Sequence, residues 1–233
     1  MVNDLHAADL ILVYRMGAGF HTVLNVEQLT VPAGSAVGIT GPSGSGKTSL
    51  LYVLAGIERP QYGSVRWGDT QVTRLAEADR DHWRRQHVGM VFQDFHLLPG
   101  MRVMQNVLLP NTFDRVRPTF ALKDRARQLL TYVGLRGGLQ RVETLSRGEM
   151  QRVAVARALL FKPTIVLADE PTASLDAANG ARVTDLLLEL CRESRSTLLV
   201  VSHDPAVLRR LETVHTLMGG PLAPSTQEVP QPC

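Results

Sequence analysis

The octapeptide Gly41-Pro42-Ser43-Gly44-Ser45-Gly46-Lys47-Thr48 constrains this chain more than any other stretch. It fits G-x-x-x-x-G-K-[S/T], follows the apolar run Ala36–Thr40 and opens the helical run Ser49–Ala55, the strand-loop-helix setting that the pattern needs. Glycines let a backbone wrap tightly, so that successive N–H groups point at phosphate oxygens. A helix N-terminus adds a favourable dipole for an anion. Lys47 is placed to reach the β- and γ-phosphates of a nucleotide and Thr48 to offer a hydroxyl to Mg²⁺. A chance Gly/Ser turn would have no reason to carry Lys-Thr between a strand and a helix. The chain is therefore read as α/β, built on a P-loop core.

A second acidic element supports this. Ile165-Val166-Leu167-Ala168-Asp169-Glu170 is an apolar strand ending in two carboxylates. In open α/β sheets the chemistry sits at the carboxyl ends of the strands. Asp169 is expected to hold Mg²⁺, directly or through water, and Glu170 to face an attacking water as general base. Taken alone, an Asp-Glu pair after a strand would be a solvated turn that caps a helix; the upstream phosphate loop tips the balance.

The rest of the chain sets bounds. Its 233 residues suffice for one α/β domain with an inserted lobe, and 44% hydrophobic residues is ordinary for a globular protein. A net charge of +3 gives no electrostatic case for nucleic-acid binding. Cys191 and Cys233 are the only cysteines, too few for a disulfide framework, which fits a reducing compartment. Met1–Leu10 lacks the basic start of a signal peptide. No apolar run approaches the ~18–20 residues that span a bilayer, so any membrane-spanning part is expected from another chain.

Periodicity predicts strands at Leu10–Tyr14, Val23–Leu29, Ala36–Thr40, Val88–Phe92, Thr164–Ala168 and Thr197–Val201. It predicts helices at Ala121–Val133, Glu149–Leu160 and Arg182–Cys191. The layout is a single domain over 1–218, with an antiparallel β edge at the start and a helical lobe at about 98–160. Residues 219–233, with four prolines, read as a disordered tail.

Leu145-Ser146-Arg147-Gly148-Glu149, followed by Met150-Gln151-Arg152, resembles the LSGGQ signature of ABC ATPases. Further matches follow in that family's order: Gln93 resembles the Q-loop glutamine, Ser174-Leu175-Asp176 the D-loop and His203 the switch histidine. Tyr14 sits where the adenine-stacking aromatic is expected, with Phe20 as its rival. The resemblance runs from about Leu10 to Gly219. Within the family, Phe92–Pro99 and Asn106–Pro110 are most similar to the ATPases of lipoprotein-release, macrolide-efflux and cell-division permeases.

The resemblance implies a homodimer closing on two ATP, each bound with Mg²⁺. Tyr14, Gly41 to Ser49 and, in trans, Ser146, Gly148, Glu149 and Asp176 would surround the nucleotide. Gln93 would sense Mg²⁺, and His203 would hold the γ-phosphate and the attacking water. It also implies an integral membrane permease as partner, no nucleic acid, and a cytoplasmic position on the inner face of the membrane. Export of a lipid-linked or amphipathic cargo is the favoured work. A soluble ABC ATPase of DNA repair or translation is the alternative, and an ATP-binding scaffold without turnover a third reading, which Glu170 argues against. Arg147 and Glu149 depart from the signature, and Glu149 is expected to bring an unfavourable charge toward the nucleotide.

Overall fold

The structure is a computed structural model. It describes residues 4–17, 19–113, 117–135 and 137–218, with the backbone of 222–224. Two sheets divide the strands. In the first, β1 (Leu5–Met16) and β2 (Gly19–Val31) form a long antiparallel hairpin. On its other edge β1 pairs with β4 (Tyr62–Trp67), which pairs with the short β5 (Thr70–Gln71).

The second sheet contains β3 (Ala36–Thr40), β6 (Val88–Val91), β7 (Ile165–Asp169), β8 (Thr197–Val201), β9 (Thr213–Leu217) and β10 (Leu222–Pro224). Their order is β10-β9-β3-β8-β7-β6. The pairing is parallel from β9 to β6, and β10 closes the edge antiparallel to β9. The carboxyl ends of β3, β8 and β7 thus lie side by side, and the segments carrying Gly41, His203 and Asp169-Glu170 emerge from neighbouring strands.

Every residue of β7 and β8 is buried, as expected of parallel strands covered on both faces. Alternation divides them between two cores. Val166, Ala168, Leu198 and Val200 join α5 (Arg147–Ala158) and α6 (Ala177–Ser194) on one side. Ile165, Leu167, Leu199 and Val201 join α1 (Lys47–Leu54) and the first sheet on the other. Fully burying a side chain of this size is worth about 1.5–3 kcal/mol, so the site rests on the best-buried strands of the chain.

Between β6 and β7 lie α3 (Val103–Leu108), α4 (Phe120–Tyr132) and α5, packed on one another. Thr119 caps α4 by accepting from the Leu122 N–H. Among the elements that escape the periodicity reading are α2 (Glu77–His87), β4 and β9. The helix α2 buries only Trp83 and so has no apolar stripe. β4 alternates but is broken by Gly63, and β9 is only half-buried. The helix α6 is longer than expected because Asp176 caps it, five residues of Ala, Asn and Gly before the apolar stripe begins. The reading of 219–233 as a disordered tail needs one correction: 222–224 form β10, whose backbone completes the ladder of β9. The other tail residues lie outside the described ones.

Candidate active site

Two close approaches explain Gly41 and Gly46 of the phosphate loop. A Cβ at Gly41 would stand 2.1 Å from the Leu217 carbonyl oxygen, and Gly41 has φ 150°. A Cβ at Gly46 would stand 2.3 Å from the Val23 carbonyl oxygen. Val23 reaches the loop because the β1–β2 register shifts between Leu12 and Val13, leaving it as an extra residue in β2. The hairpin and the end of β9 thus press on the loop from two sides. Gly41→Ala is expected to weaken ATP binding by at least about tenfold, through displacement of the loop. Calorimetric titration checks this, and unchanged affinity would show that β9 yields instead.

Beyond the loop, α1 begins at Lys47 with Gly46 as its left-handed N-cap residue. The Lys47 Nζ donates to the carbonyls of Gly41 and Pro42, both at 2.9 Å, holding the ammonium over the loop. A cavity of about 300 Å³ opens here, lined by Ser43, Gly44, Lys47, Thr48, Asp169 and Glu170 among others.

Asp169 is buried, and its Oδ1 has no hydrogen-bond partner. Burial pushes its carboxyl above the usual range, against the pull of Thr48 and Lys47 and with the Glu170 charge adding to it. Among the described residues no group of three or more His, Cys, Asp or Glu could hold a metal. The Thr48 hydroxyl and the unpaired Asp169 oxygen nevertheless fit Mg²⁺, a hard cation bound through one or two protein oxygens with phosphates and water completing the shell.

Glu170 has φ 45°, in the left-handed region. Its N–H donates to the Val201 carbonyl at 2.9 Å, which fixes this costly conformation. Its Oε1 lies 2.8 Å from Nδ1 of His203, an exposed ring just beyond β8. The neighbouring Asp204 caps α7 (Pro205–Leu208) by accepting from the Ala206 N–H, which leaves His203 free of capping work.

The signature segment lies at the start of α5. Ser146 is the N-cap residue, and Glu149 accepts from both the backbone N–H and the hydroxyl of Ser146, at 2.8 and 2.7 Å. This capping box depresses the Glu149 carboxyl, its hydrogen bonds with Ser146 being the main cause. The Glu149 carboxylate, expected to bring charge toward a nucleotide, is also turned onto its own helix start. Arg147 is exposed in the first turn. Gly148 packs against Asn179, where a Cβ would come within 3.1 Å of that side chain. Asn179 in turn donates through its backbone and side chain to Asp176, at 2.9 and 2.6 Å, so the signature and the Asp176 turn form one connected unit.

Gln93 lies exposed just past β6 and is not among the residues lining the phosphate cavity. Tyr14 continues the Leu10–Leu12 face of β1 beyond the core. It is 40% exposed against 81% for Phe20, and its hydroxyl donates to Glu58. Val23, Leu217, Asn179 and Glu58 escape sequence reading, since each acts through a pairing or contact that no local motif encodes.

A parallel sheet that places a glycine-rich loop after β3, and a buried Asp and a strained Glu at the end of β7 just across β8, defines a P-loop nucleotide hydrolase. The family model described as ABC transporter matches residues 24–173. The chain belongs to that family and is an ATP-hydrolysing ABC cassette. It is 39% identical to the lipoprotein-releasing system ATP-binding protein LolD of Idiomarina loihiensis, over 93% of this chain and 95% of that protein. It is 38% identical to an uncharacterized ABC transporter ATP-binding protein of Mycobacterium tuberculosis, over 94% and 88%. Among solved structures it resembles the ATP-binding cassette MJ0796, a dimer in a post-hydrolysis state bound to ADP and Pi. There the TM-score is 0.85 and the identity 33%, over 94% of this chain and 98% of that one. Among the described residues no helix is long and apolar enough to cross a membrane.

Proposed function

We propose that this chain is the ATPase subunit of a transporter in which two copies close on two ATP and drive a separate membrane permease. The observation that carries the reading is the convergence of Lys47, Thr48, Asp169 and Glu170 on one cavity, with His203 on Glu170. The loop N–H groups and Lys47 bind the phosphates. Glu170, held by His203, takes the proton of the attacking water, and His203 orients that water against the γ-phosphate. When bound, Mg²⁺ supplies charge neutralisation at the β- and γ-phosphates, with Thr48 and Asp169 holding it and Gln93 sensing it. Ser146, Gly148, Glu149 and Asp176 complete the partner copy's site, and the dimeric state of the MJ0796 cassette supports such an arrangement. Residues 1–218 act as one domain, with the helical lobe at about 98–160 as its moving part.

A groove of about 430 Å³ supports the permease. Met90, Phe92, Leu109, Phe113 and Phe161 line it together with Arg84. Phe113 is largely exposed there, and such an apolar channel suits the apolar face of a helix from another chain. The likeness to lipoprotein-releasing ATPases points to extrusion of a lipid-linked or amphipathic cargo, with this chain peripheral on the cytoplasmic face. Capture of the tagged chain from detergent-solubilised membranes of its host tests the reading. The expected result is a co-purifying permease with few transmembrane helices and a large extracytoplasmic domain. Recovery with soluble nucleic-acid or ribosomal partners alone would overturn the transport claim and leave the ATPase chemistry standing.

A further inference from the structure

Tyr14 is held by more than its own strand. The β1–β4 ladder stops at Ile11, which pairs with Tyr62. Past that point the Gln61 backbone N–H donates to the Ile11 carbonyl at 2.9 Å. Its carboxamide then takes over the ladder: Oε1 accepts from the Val13 N–H at 2.7 Å and Nε2 donates to the Val13 carbonyl at 3.1 Å. One residue on, the Tyr14 hydroxyl donates to Glu58 Oε1. Glu58 is itself hung on α1, its N–H donating to the Tyr52 carbonyl at 3.1 Å. Ser49, in the first turn of that helix, lies beside the same hydroxyl.

The other Glu58 oxygen, Oε2, is buried without a hydrogen-bond partner. Glu58 is half-buried, and leaving this one oxygen unpaired carries a cost that a smaller apolar side chain would not have. What the carboxylate achieves is to fix the direction of the Tyr14 ring relative to the helix that follows the phosphate loop. Phe20, on the same hairpin, has no such tether and is almost fully exposed.

We infer that Glu58 is a positioning residue for base recognition: by tying the Tyr14 hydroxyl to α1, it holds the ring as a preset stacking platform for the adenine of ATP. This rests on the reading of Tyr14 as the base platform. A preset platform loses less freedom on binding than a mobile one, so the tether acts on base affinity and not on the grip of the phosphates.

The test compares Mg-ATP with inorganic tripolyphosphate, which has no base, by calorimetric titration of the full chain and its variants. Tyr14→Ala is expected to weaken ATP about tenfold or more, the scale of one stacked base, and to leave tripolyphosphate unchanged; Phe20→Ala is expected to alter neither. Tyr14→Phe and Glu58→Ala, which each remove the tether, are expected to weaken ATP about threefold to tenfold. The double variant should be no weaker than either, because the two changes remove one interaction. Glu58→Gln keeps an acceptor and should bind ATP as the unaltered chain does. Wild-type ATP affinity in Tyr14→Phe and Glu58→Ala, beside a weak Tyr14→Ala, would overturn the positioning role and leave the platform standing. An equal loss of tripolyphosphate in Glu58→Ala would reduce Glu58 to a structural support. A Tyr14→Ala chain that binds ATP normally would remove the platform, and the inference with it.

Discussion

Glu170→Gln is expected to lower ATP turnover by roughly two to four orders of magnitude, the range over which a positioned general base contributes, while ATP affinity changes little. The amide keeps the shape of the side chain and can still meet His203, but it cannot take a proton from water. The left-handed backbone at Glu170 and its N–H bond to Val201 are untouched, so the variant should fold normally. Single-turnover kinetics with parallel binding measurements separate the two quantities. If closure on ATP needs no permease, the variant should also accumulate as an ATP-bound dimer in size-exclusion chromatography. Turnover within tenfold of the unaltered chain would sink the assignment of Glu170 as base.

Lys47→Ala is the second large effect. It removes the one ammonium that, among the described residues, lines the phosphate cavity, where the carboxylates of Asp169 and Glu170 face the same space. A polyphosphate brought beside these acids without that cation meets like charge in a partly enclosed site, where screening is weak. Loss of one preorganised donor at such a centre costs about 10²–10³ in rate. Lys47→Arg should rescue little, because a planar fork cannot replace a point charge that fits between the Gly41 and Pro42 carbonyls. Here the affected quantity is nucleotide affinity as well as rate, which distinguishes Lys47 from Glu170. Near-normal ATP binding by Lys47→Ala would refute the role given to the ammonium.

The parts of the site that sequence revealed are those whose chemistry and geometry are local. The phosphate loop announces itself because strand, turn and helix start must be contiguous to make the cradle. Asp169 and Glu170 are legible because a buried parallel strand is a continuous apolar run, and its end is where carboxylates matter. Ser146-x-x-Glu149 is a capping-box pattern open to sequence reading, and the structure forms that box at the start of α5. The helix α2 went unseen because eleven residues bury a single Trp. The carbonyls of Val23 and Leu217 could not be foreseen either: the first depends on a register shift between two strands, the second on a strand nearly two hundred residues further along. Glu58 belongs with them, as its role depends on where β1 loses its partner strand. Tertiary proximity, not residue type, separates what was readable from what was not.

The strand order has a consequence for how the chain matures. β3, which leads into the phosphate loop, is flanked by β8 and β9, both drawn from the last part of the described chain. During synthesis that strand must therefore wait, its edges unpaired, until residues 197–217 have left the ribosome. Such long-range parallel pairing is slow and exposes apolar edges to aggregation in the interval. The Leu217 carbonyl that crowds Gly41 comes from the same late segment, so the phosphate loop gains this neighbour last. The nascent chain is therefore expected to depend on chaperones until β8 and β9 emerge.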